Sequence, residues 1–185
     1  MGTPPLQNTS FNPATLKSIT LLQGECHVTD EKGLQLTTLL GSCIATCMYD
    51  ETAGVGGMNH FLLPFGSSKG HSTERYGLFA MELLINGLLK YGARRSRLEA
   101  KIFGGARMGD LVNSIGDRNA SFASEFLELE RIPCVARSTG GTMARRIRFC
   151  PSNGRVSQLF VRETVEDAPQ KPTQGDIMFF DGDQS

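Results

Sequence analysis

The residues best suited to chemistry in this chain of 185 residues are a cysteine and a histidine in neighbouring apolar segments. Cys43 follows Gly41 and Ser42, and His60 stands seventeen residues later. A cysteine thiolate is a strong nucleophile once a base takes its proton, and small residues beside it let backbone N–H groups stabilise an oxyanion. Cys43 is therefore a candidate nucleophile, with Gly41 and Ser42 as candidate substrate or oxyanion residues. The competing interpretation is a turn glycine before a buried cysteine, because free cysteines are commonly buried.

His60 is the candidate base. If the segments that carry Cys43 and His60 pair as strands, the imidazole can take the thiol proton, and an ion pair would supply the thiolate near neutral pH. The alternative is a core histidine bonded to backbone. A third group should orient the imidazole, and the sequence does not rank the polar side chains nearby, which are Thr37, Thr38, Ser42 and Asn59.

Metal, disulfide and phosphate chemistry have weaker support. Five cysteines are scattered along the chain and no Cys-x-x-Cys pair occurs, so reduced thiols without a metal centre are expected. A redox pair of Cys43 and Cys47 is a further hypothesis. Neither Gly104-Gly105 nor Gly140-Gly141 belongs to a nucleotide-binding motif. We interpret both as backbone that approaches a neighbouring loop or a substrate.

The composition argues against several classes of partner. Nineteen basic and 19 acidic residues leave no net charge, which disfavours nucleic acid and anionic membranes. The short cluster Arg145, Arg146 and Arg148 is interpreted as the solvated face of a strand. No apolar segment approaches the ~20 residues that span a bilayer, and no export signal is recognisable at the N-terminus. We therefore expect a cytoplasmic protein without membrane insertion.

Short strands and two helices must position the candidate residues. Apolar or alternating runs predict strands at 18–28, 34–39, 43–49, 55–63, 98–103, 132–136, 145–150 and 155–162. Helical spacing of apolar residues predicts helices at 76–91 and 120–130, with a turn at 113–118. This order lacks regular βαβ alternation, so the predicted class is α+β, with helices packed on a mixed, mostly antiparallel sheet.

The predicted domain organisation is simple. Residues 1–17 are expected to form a flexible N-terminal tail, 18–163 a single domain, and 164–185 an acidic C-terminal tail. The last segment contains one apolar cluster, Ile177–Phe180. Packing of this cluster onto its own domain is favoured over its use as a docking peptide.

Several separated motifs, taken together in their order, resemble a known family. They are Leu40–Ala45, Gly56–Pro64, Met81–Asn86, Arg97–Ala106, Ile115–Asn119, Gly140-Gly141 and Arg145–Phe149. The family that they resemble is CheD, the chemoreceptor glutamine deamidases of bacterial chemotaxis. The resemblance covers about residues 18–162 and leaves both predicted tails outside.

The resemblance implies a protein-glutamine glutaminase that converts receptor glutamines to glutamate, and that also hydrolyses glutamyl methyl esters, with no metal or cofactor. It places the nucleophile at Cys43, the base at His60, and the third catalytic residue, six positions before the cysteine, at Thr37. The implied fold is a layered α/β sandwich similar to Cys–His toxin deamidases. Chemoreceptor cytoplasmic helices are the implied substrate, and some members also bind a CheC-type phosphatase. The alternative function is a non-catalytic adaptor for receptor or phosphatase.

Overall fold

The computed structural model describes residues 17–63, 70–107, 113–161 and 177–180. The strands in these ranges are β1 (Ser18–Thr20), β2 (Cys26–Thr29), β3 (Gln35–Leu40), β4 (Ile44–Asp50), β5 (Val55–Phe61), β6 (Glu99–Gly104), β7 (Cys134–Thr139), β8 (Ala144–Phe149), β9 (Val156–Val161) and β10 (Ile177–Phe180). The α-helices are α1 (Gly70–Lys90) and α2 (Asn113–Leu129), and a short 3-10 helix spans Arg95–Arg97. Neither described helix is long and apolar enough to cross a membrane.

The strands form two five-stranded sheets. The inner sheet has the order β2-β5-β4-β6-β7, and the outer sheet has the order β1-β3-β8-β9-β10. Strands β6 and β7 pair in parallel, as do β1 and β3, and the other neighbours are antiparallel. The successive strands β3 and β4 lie in different sheets. The turn between them therefore carries the chain, and with it Cys43, from the outer sheet to the inner one.

The inner sheet is covered on both faces. Along β4, Ile44 and Met48 pack in the cluster that includes the helices, whereas Ala45 and Cys47 pack in the cluster that includes the outer sheet. Every residue of β4 and β5 is buried. A strand with both faces buried has a nearly continuous run of apolar residues in its sequence. The sequence of β4 and β5 has this pattern. The layers are thus the outer sheet, the inner sheet and the helices.

Both helices lie on the inner sheet. Met81, Leu84 and Leu88 of α1 share one core cluster with Phe126 and Leu127 of α2, and their spacing is that of a single buried stripe. The predicted helix at 76–91 is confirmed. The predicted turn at 113–118 is wrong, because α2 begins at Asn113. Gly116, within this segment, lets the helix approach the backbone of Gly105 closely.

The α+β class with two main helices is confirmed, but the strands form two stacked sheets rather than one. Strand β10 pairs antiparallel with β9, so the apolar cluster Ile177–Phe180 does pack onto its own domain. Apart from this strand and Lys17, the segments predicted as tails lie outside the described residues.

Candidate active site

Cys43 lies in the turn that crosses between the two sheets, immediately before β4. Its side chain is 8% exposed. It belongs to the cluster between the sheets, together with Ala45 and Cys47, because alternate residues of a strand share one face. The nucleophile candidate therefore stands at one end of the space between the two sheets, and not in the helical layer.

His60 reaches the thiol from the neighbouring strand. In the antiparallel pairing of β4 with β5, His60 is opposite Ala45, which places its side chain on the same face as Cys43 and diagonal to it. The distance from His60 Nε2 to Cys43 Sγ is 2.9 Å, and His60 is 5% exposed. The structure thus brings together the two residues that the sequence singled out.

Thr38, on strand β3 of the outer sheet, contacts the other ring nitrogen of His60. Its hydroxyl donates to the carbonyl of Leu21 at 2.8 Å and is 2.9 Å from His60 Nδ1. A hydroxyl has one hydrogen, so the oxygen of Thr38 accepts from His60 Nδ1–H. This assigns the tautomer that keeps Nε2 unprotonated, which leaves its lone pair facing the thiol of Cys43.

Two of the other candidates for the third group, Thr37 and Asn59, point elsewhere. The hydroxyl of Thr37, the residue favoured by the family resemblance, donates to the carbonyl of Ile147 at 2.9 Å, on the neighbouring strand β8. Thr37 and Thr38 face opposite sides of β3 because side chains alternate along a strand. Asn59 faces α1, where it accepts from Thr46 N–H and donates to the carbonyl of Ala80, both at 3.0 Å. Thr38 is therefore the side chain that orients His60.

Burial determines the protonation of the pair. Burial raises the pKa of the Cys43 thiol, and the backbone N–H groups of Gly41 and Cys43 offset part of this rise. Burial lowers the pKa of His60, and the Leu21 carbonyl and Glu25 oppose this more weakly. Both shifts favour a neutral thiol beside a neutral imidazole. Desolvation thus opposes the ion pair expected from sequence, because it disfavours both charged forms.

Backbone of the segment 104–106 holds the nucleophile turn in place. Gly105 N–H donates to the carbonyl of Cys43, and Ala106 N–H donates to the carbonyl of Gly41, both at 2.8 Å. Gly104 has φ +116°, and a Cβ there would overlap with the carbonyl oxygen of Cys43. The glycines at 104 and 105 thus serve backbone approach to a neighbouring loop, as predicted, because a side chain would not fit.

Cys47 takes no part in this arrangement. Residues four apart on a strand have Cα atoms about 13 Å from one another, about twice the separation that a disulfide spans. Cys47 is fully buried, and burial raises the pKa of its thiol more than Lys101 lowers it. The redox pair of Cys43 and Cys47 is therefore wrong. Among the residues that the structure describes, no group of His, Cys, Asp or Glu could hold a metal ion.

Sequence reasoning missed two contributors to the site. Leu21 supplies a carbonyl, which no side-chain pattern can indicate. Asn119 is buried on α2 and bonds to the carbonyl of Ser42 at 3.0 Å. It belongs to the motif Ile115–Asn119, but nothing in the sequence linked that motif to Cys43.

Comparison with known proteins finds similarity over most of the chain. Residues 62–159 match the family model described as CheD chemotactic sensory transduction. Proteins named "Probable chemoreceptor glutamine deamidase CheD" are similar over long alignments. One from a Caulobacter species is 54% identical over 156 residues, covering 82% of each chain. Another from Caulobacter vibrioides is 52% identical over 88% of each chain. A third, from Cereibacter sphaeroides, is 45% identical over 96% of this chain and 92% of its own.

Proposed function

The chain belongs to the CheD family, and on that premise we propose that it deamidates glutamine side chains of chemoreceptors to glutamate. The observation that carries the mechanism is the 2.9 Å contact between Cys43 Sγ and His60 Nε2. The hydroxyl of Thr38 supports it by fixing the imidazole tautomer in which Nε2 accepts the thiol proton. The reaction takes up one water and releases one ammonia for each glutamine.

The first half-reaction forms a thioester. His60 takes the proton of Cys43 as the sulfur attacks the γ-amide carbon, and the amide oxygen becomes an oxyanion. The backbone N–H groups of Gly41 and Cys43 lower the pKa of the Cys43 thiol, so they favour negative charge at this position. An oxyanion on the carbon bonded to that sulfur lies near the same donors. Protonated His60 then gives its proton to the amide nitrogen, the C–N bond breaks, and ammonia leaves.

The second half-reaction restores the enzyme. His60, neutral again, takes a proton from water, whose oxygen attacks the thioester carbon. The C–S bond breaks, the sulfur leaves with the proton returned by His60, and the product is the glutamate side chain. A glutamyl methyl ester would follow the same steps with methanol as the leaving group, so ester hydrolysis belongs to the same proposal.

The proposed substrate lies in the cytoplasmic helices of the receptor, so the proposal includes a cytoplasmic location for the enzyme.

The adaptor alternative predicts binding without turnover. A protein that only bound a receptor or a CheC-type phosphatase would not need a thiol held 2.9 Å from a tautomer-fixed imidazole. The contact between Cys43 and His60 therefore favours an enzyme over an adaptor. Binding of a CheC-type phosphatase stays compatible with the enzyme as a second, regulatory interaction.

The test is conversion of a receptor cytoplasmic fragment followed by mass spectrometry. Wild-type protein should raise the fragment mass by about one dalton per modified glutamine, and Cys43→Ala and His60→Ala should not. Cys47→Ala is the matched control, since Cys47 lies four residues along on the same face, and it should convert the fragment like the wild type. Conversion by Cys43→Ala at the wild-type rate would refute the mechanism, and retained binding without any wild-type conversion would favour the adaptor.

A further inference from the structure

Three consecutive carbonyls of the nucleophile turn each accept a hydrogen bond. Ala106 N–H bonds to Gly41, the side chain of Asn119 bonds to Ser42, and Gly105 N–H bonds to Cys43. Two of the three donors are backbone. Among the described residues, Asn119 is the side chain that bonds to these carbonyls, so it is the one contact that a substitution can remove selectively.

Asn119 connects the turn before Cys43 with the chain that follows His60. It is fully buried on α2. Its Nδ2 donates to the carbonyl of Ser42 at 3.0 Å, and its Oδ1 accepts from Leu63 N–H at 2.8 Å. Both ends of the amide are therefore used, and its orientation is fixed by its two partners. One side chain thus sets the separation between the segments that carry the nucleophile and the base.

The bond to Ser42 also orients the neighbouring N–H. The peptide bond between Ser42 and Cys43 is trans, so its C=O and N–H point in opposite directions. With the carbonyl turned toward Asn119 on α2, the N–H of Cys43 turns away from α2, and the side chain of Cys43 likewise packs between the two sheets rather than against the helices. A free peptide in a turn could rotate, whereas this one is fixed before a substrate arrives.

We infer that Asn119 is a positioning residue that holds the Ser42–Cys43 peptide so that the N–H of Cys43 faces the developing oxyanion. The inference rests on the proposed Cys43–His60 deamidation and adds a part to it. Asn119 does not touch the reacting atoms. It acts through the backbone of Ser42, and its contribution appears when charge develops on the substrate oxygen.

The informative substitution is Asn119→Asp, because it removes the donor to Ser42 and keeps the shape of the side chain. The introduced carboxylate keeps the shape of the side chain and still accepts from Leu63 N–H. It replaces the NH2 that faces the Ser42 carbonyl with an oxygen, and the two oxygens repel each other. The peptide should then rotate away from its orientation. Burial raises the pKa of the introduced carboxyl, so acidification restores a donor to the Ser42 carbonyl.

Asn59→Asp is the matched control. Asn59 is also a buried asparagine that joins the inner sheet to a helix, since it accepts from Thr46 N–H and donates to the Ala80 carbonyl. It faces α1 and does not touch the nucleophile turn. The same substitution at Asn59 therefore reproduces the loss of stability caused by burying a carboxyl between a strand and a helix. It does so without moving the Ser42–Cys43 peptide.

The experiment measures kcat and KM with a receptor fragment, the rate of alkylation of Cys43 by iodoacetamide, and Tm. For Asn119→Asp at neutral pH we expect kcat to fall about 100-fold with KM within about threefold. Alkylation should stay within about threefold, because displacement of iodide forms no oxyanion. The ratio of variant to wild-type kcat should rise as the pH is lowered. Asn59→Asp should lower Tm by a similar amount but keep kcat within about threefold.

Either of two results would overturn the inference. One is a kcat for Asn119→Asp that is no lower than that of Asn59→Asp. The other is a loss of alkylation in step with the loss of deamidation, which would mean that the whole site is disordered. Should Asn119→Asp unfold at the assay temperature, Asn119→Ser places no charge in the interior and is judged by the same two criteria. Failure of the wild type to convert the fragment would instead refute the proposed function.

Discussion

Thr37 and Thr38 are adjacent residues of the same type with different surroundings. The hydroxyl of Thr38 bridges the Leu21 carbonyl and His60 Nδ1, and Thr38 is buried. The hydroxyl of Thr37 bonds to Ile147 on the adjacent strand. The pair offers an internal comparison, since the same substitution removes a hydroxyl from the site in one case and from a strand pairing in the other.

Thr38→Val should lower kcat of receptor deamidation about tenfold, whereas Thr37→Val should change it less than about threefold. Valine keeps the β-branched shape but removes the hydroxyl, so the Leu21 carbonyl loses a donor and the imidazole loses the hydrogen bond that fixes its tautomer. The loss at the imidazole, about 1.4 kcal/mol, corresponds to the tenfold decrease. Steady-state kinetics on a receptor fragment measure both variants. If Thr37→Val were the more damaging of the two, the tautomer assignment from Thr38 would be wrong.

The decrease of kcat/KM at low pH should report the protonation of His60, since the neutral imidazole is the base. Burial lowers the pKa of His60 below its ordinary 6.5, so the base form persists at lower pH than for a free imidazole. Activity should therefore fall only as the pH drops through a value below 6.5. A pH–rate profile measures this, with His27→Gln as the control that leaves the decrease in place. A decrease centred above 6.5 would contradict the neutral pair.

The residue types and the small residues before the cysteine made Cys43 and His60 candidates, but they left a buried cysteine and a core histidine as alternatives. The resemblance to a family, carried by several motifs in order, decided between these interpretations. Thr38 could also have been chosen, since it alternates with Leu36 and Leu40, which are buried. Arg145 illustrates the limit. It was grouped with Arg146 and Arg148 on a solvated face, yet it is buried and bonds to the carbonyls of Ser138 and Gly140. Those acceptors lie at the end of the preceding strand β7, and no pattern in the sequence indicates that the chain turns back so that Arg145 meets them.

At the scale of elements, the site depends on how closely α2 approaches the segment 104–106. A Cβ at Gly116 would come within 2.5 Å of the Gly105 carbonyl oxygen and 2.7 Å of that of Ala106. These two residues donate to the nucleophile turn. A shift of α2 would therefore move the segment 104–106. Through its backbone hydrogen bonds, this segment would in turn move the carbonyls of Gly41 and Cys43.

Gly116→Ala should lower activity more than its effect on stability explains. The added methyl group meets backbone, which cannot turn aside, so α2 or the segment 104–106 must shift. Gly87→Ala is the control, because in α1 the added Cβ meets the side chain of Val28. We expect both variants to lose stability but only Gly116→Ala to lose about tenfold in kcat. Equal kcat values at equal folded fractions would contradict this link between α2 and the nucleophile turn.

The elements themselves were predictable to different degrees. The continuous apolar runs of β4 and β5 and the stripe of α1 follow directly from burial of one or both faces. The division into two sheets did not follow, because the pairing of β3 with β8 joins residues about a hundred positions apart. The single strand predicted at 18–28 is two strands, separated by Gly24 at φ +91°, and each pairs in a different sheet.

At the scale of the whole molecule, Asp50 joins the end of β4 to the segment after α1. It is fully buried and accepts from the Arg97 side chain at 2.8 Å, from Arg94 N–H at 2.9 Å and from Ala53 N–H at 3.1 Å. Burial alone would raise the pKa of this carboxyl, but these donors and the charge of Arg97 together lower it to about 2. The ionised form is thus stabilised in the folded chain.

Asp50→Asn should lower the free energy of unfolding at neutral pH by about 2 kcal/mol. Since the folded pKa is below the ordinary 3.8, the contribution of Asp50 is present above that value and is lost as the pH falls toward about 2. The wild type should therefore lose stability over this acid range more steeply than the variant, as measured by urea unfolding. Glu31→Gln, at the exposed pair with Lys17, should change stability by less than about 0.5 kcal/mol. Parallel pH curves for wild type and Asp50→Asn would refute the assignment.

Strand β10 has a consequence for the colloidal behaviour of the protein. It covers the edge of β9 with four paired residues, and the carbonyl of Phe180 accepts from the buried Lys101 at 2.5 Å. A chain truncated before Ile177 would present the row of N–H and C=O groups of β9 to solvent, and such an edge pairs with other chains. Proteolytic trimming at this end would then be seen first as concentration-dependent self-association, while Cys43 and His60, in the turn and on β5, were still intact.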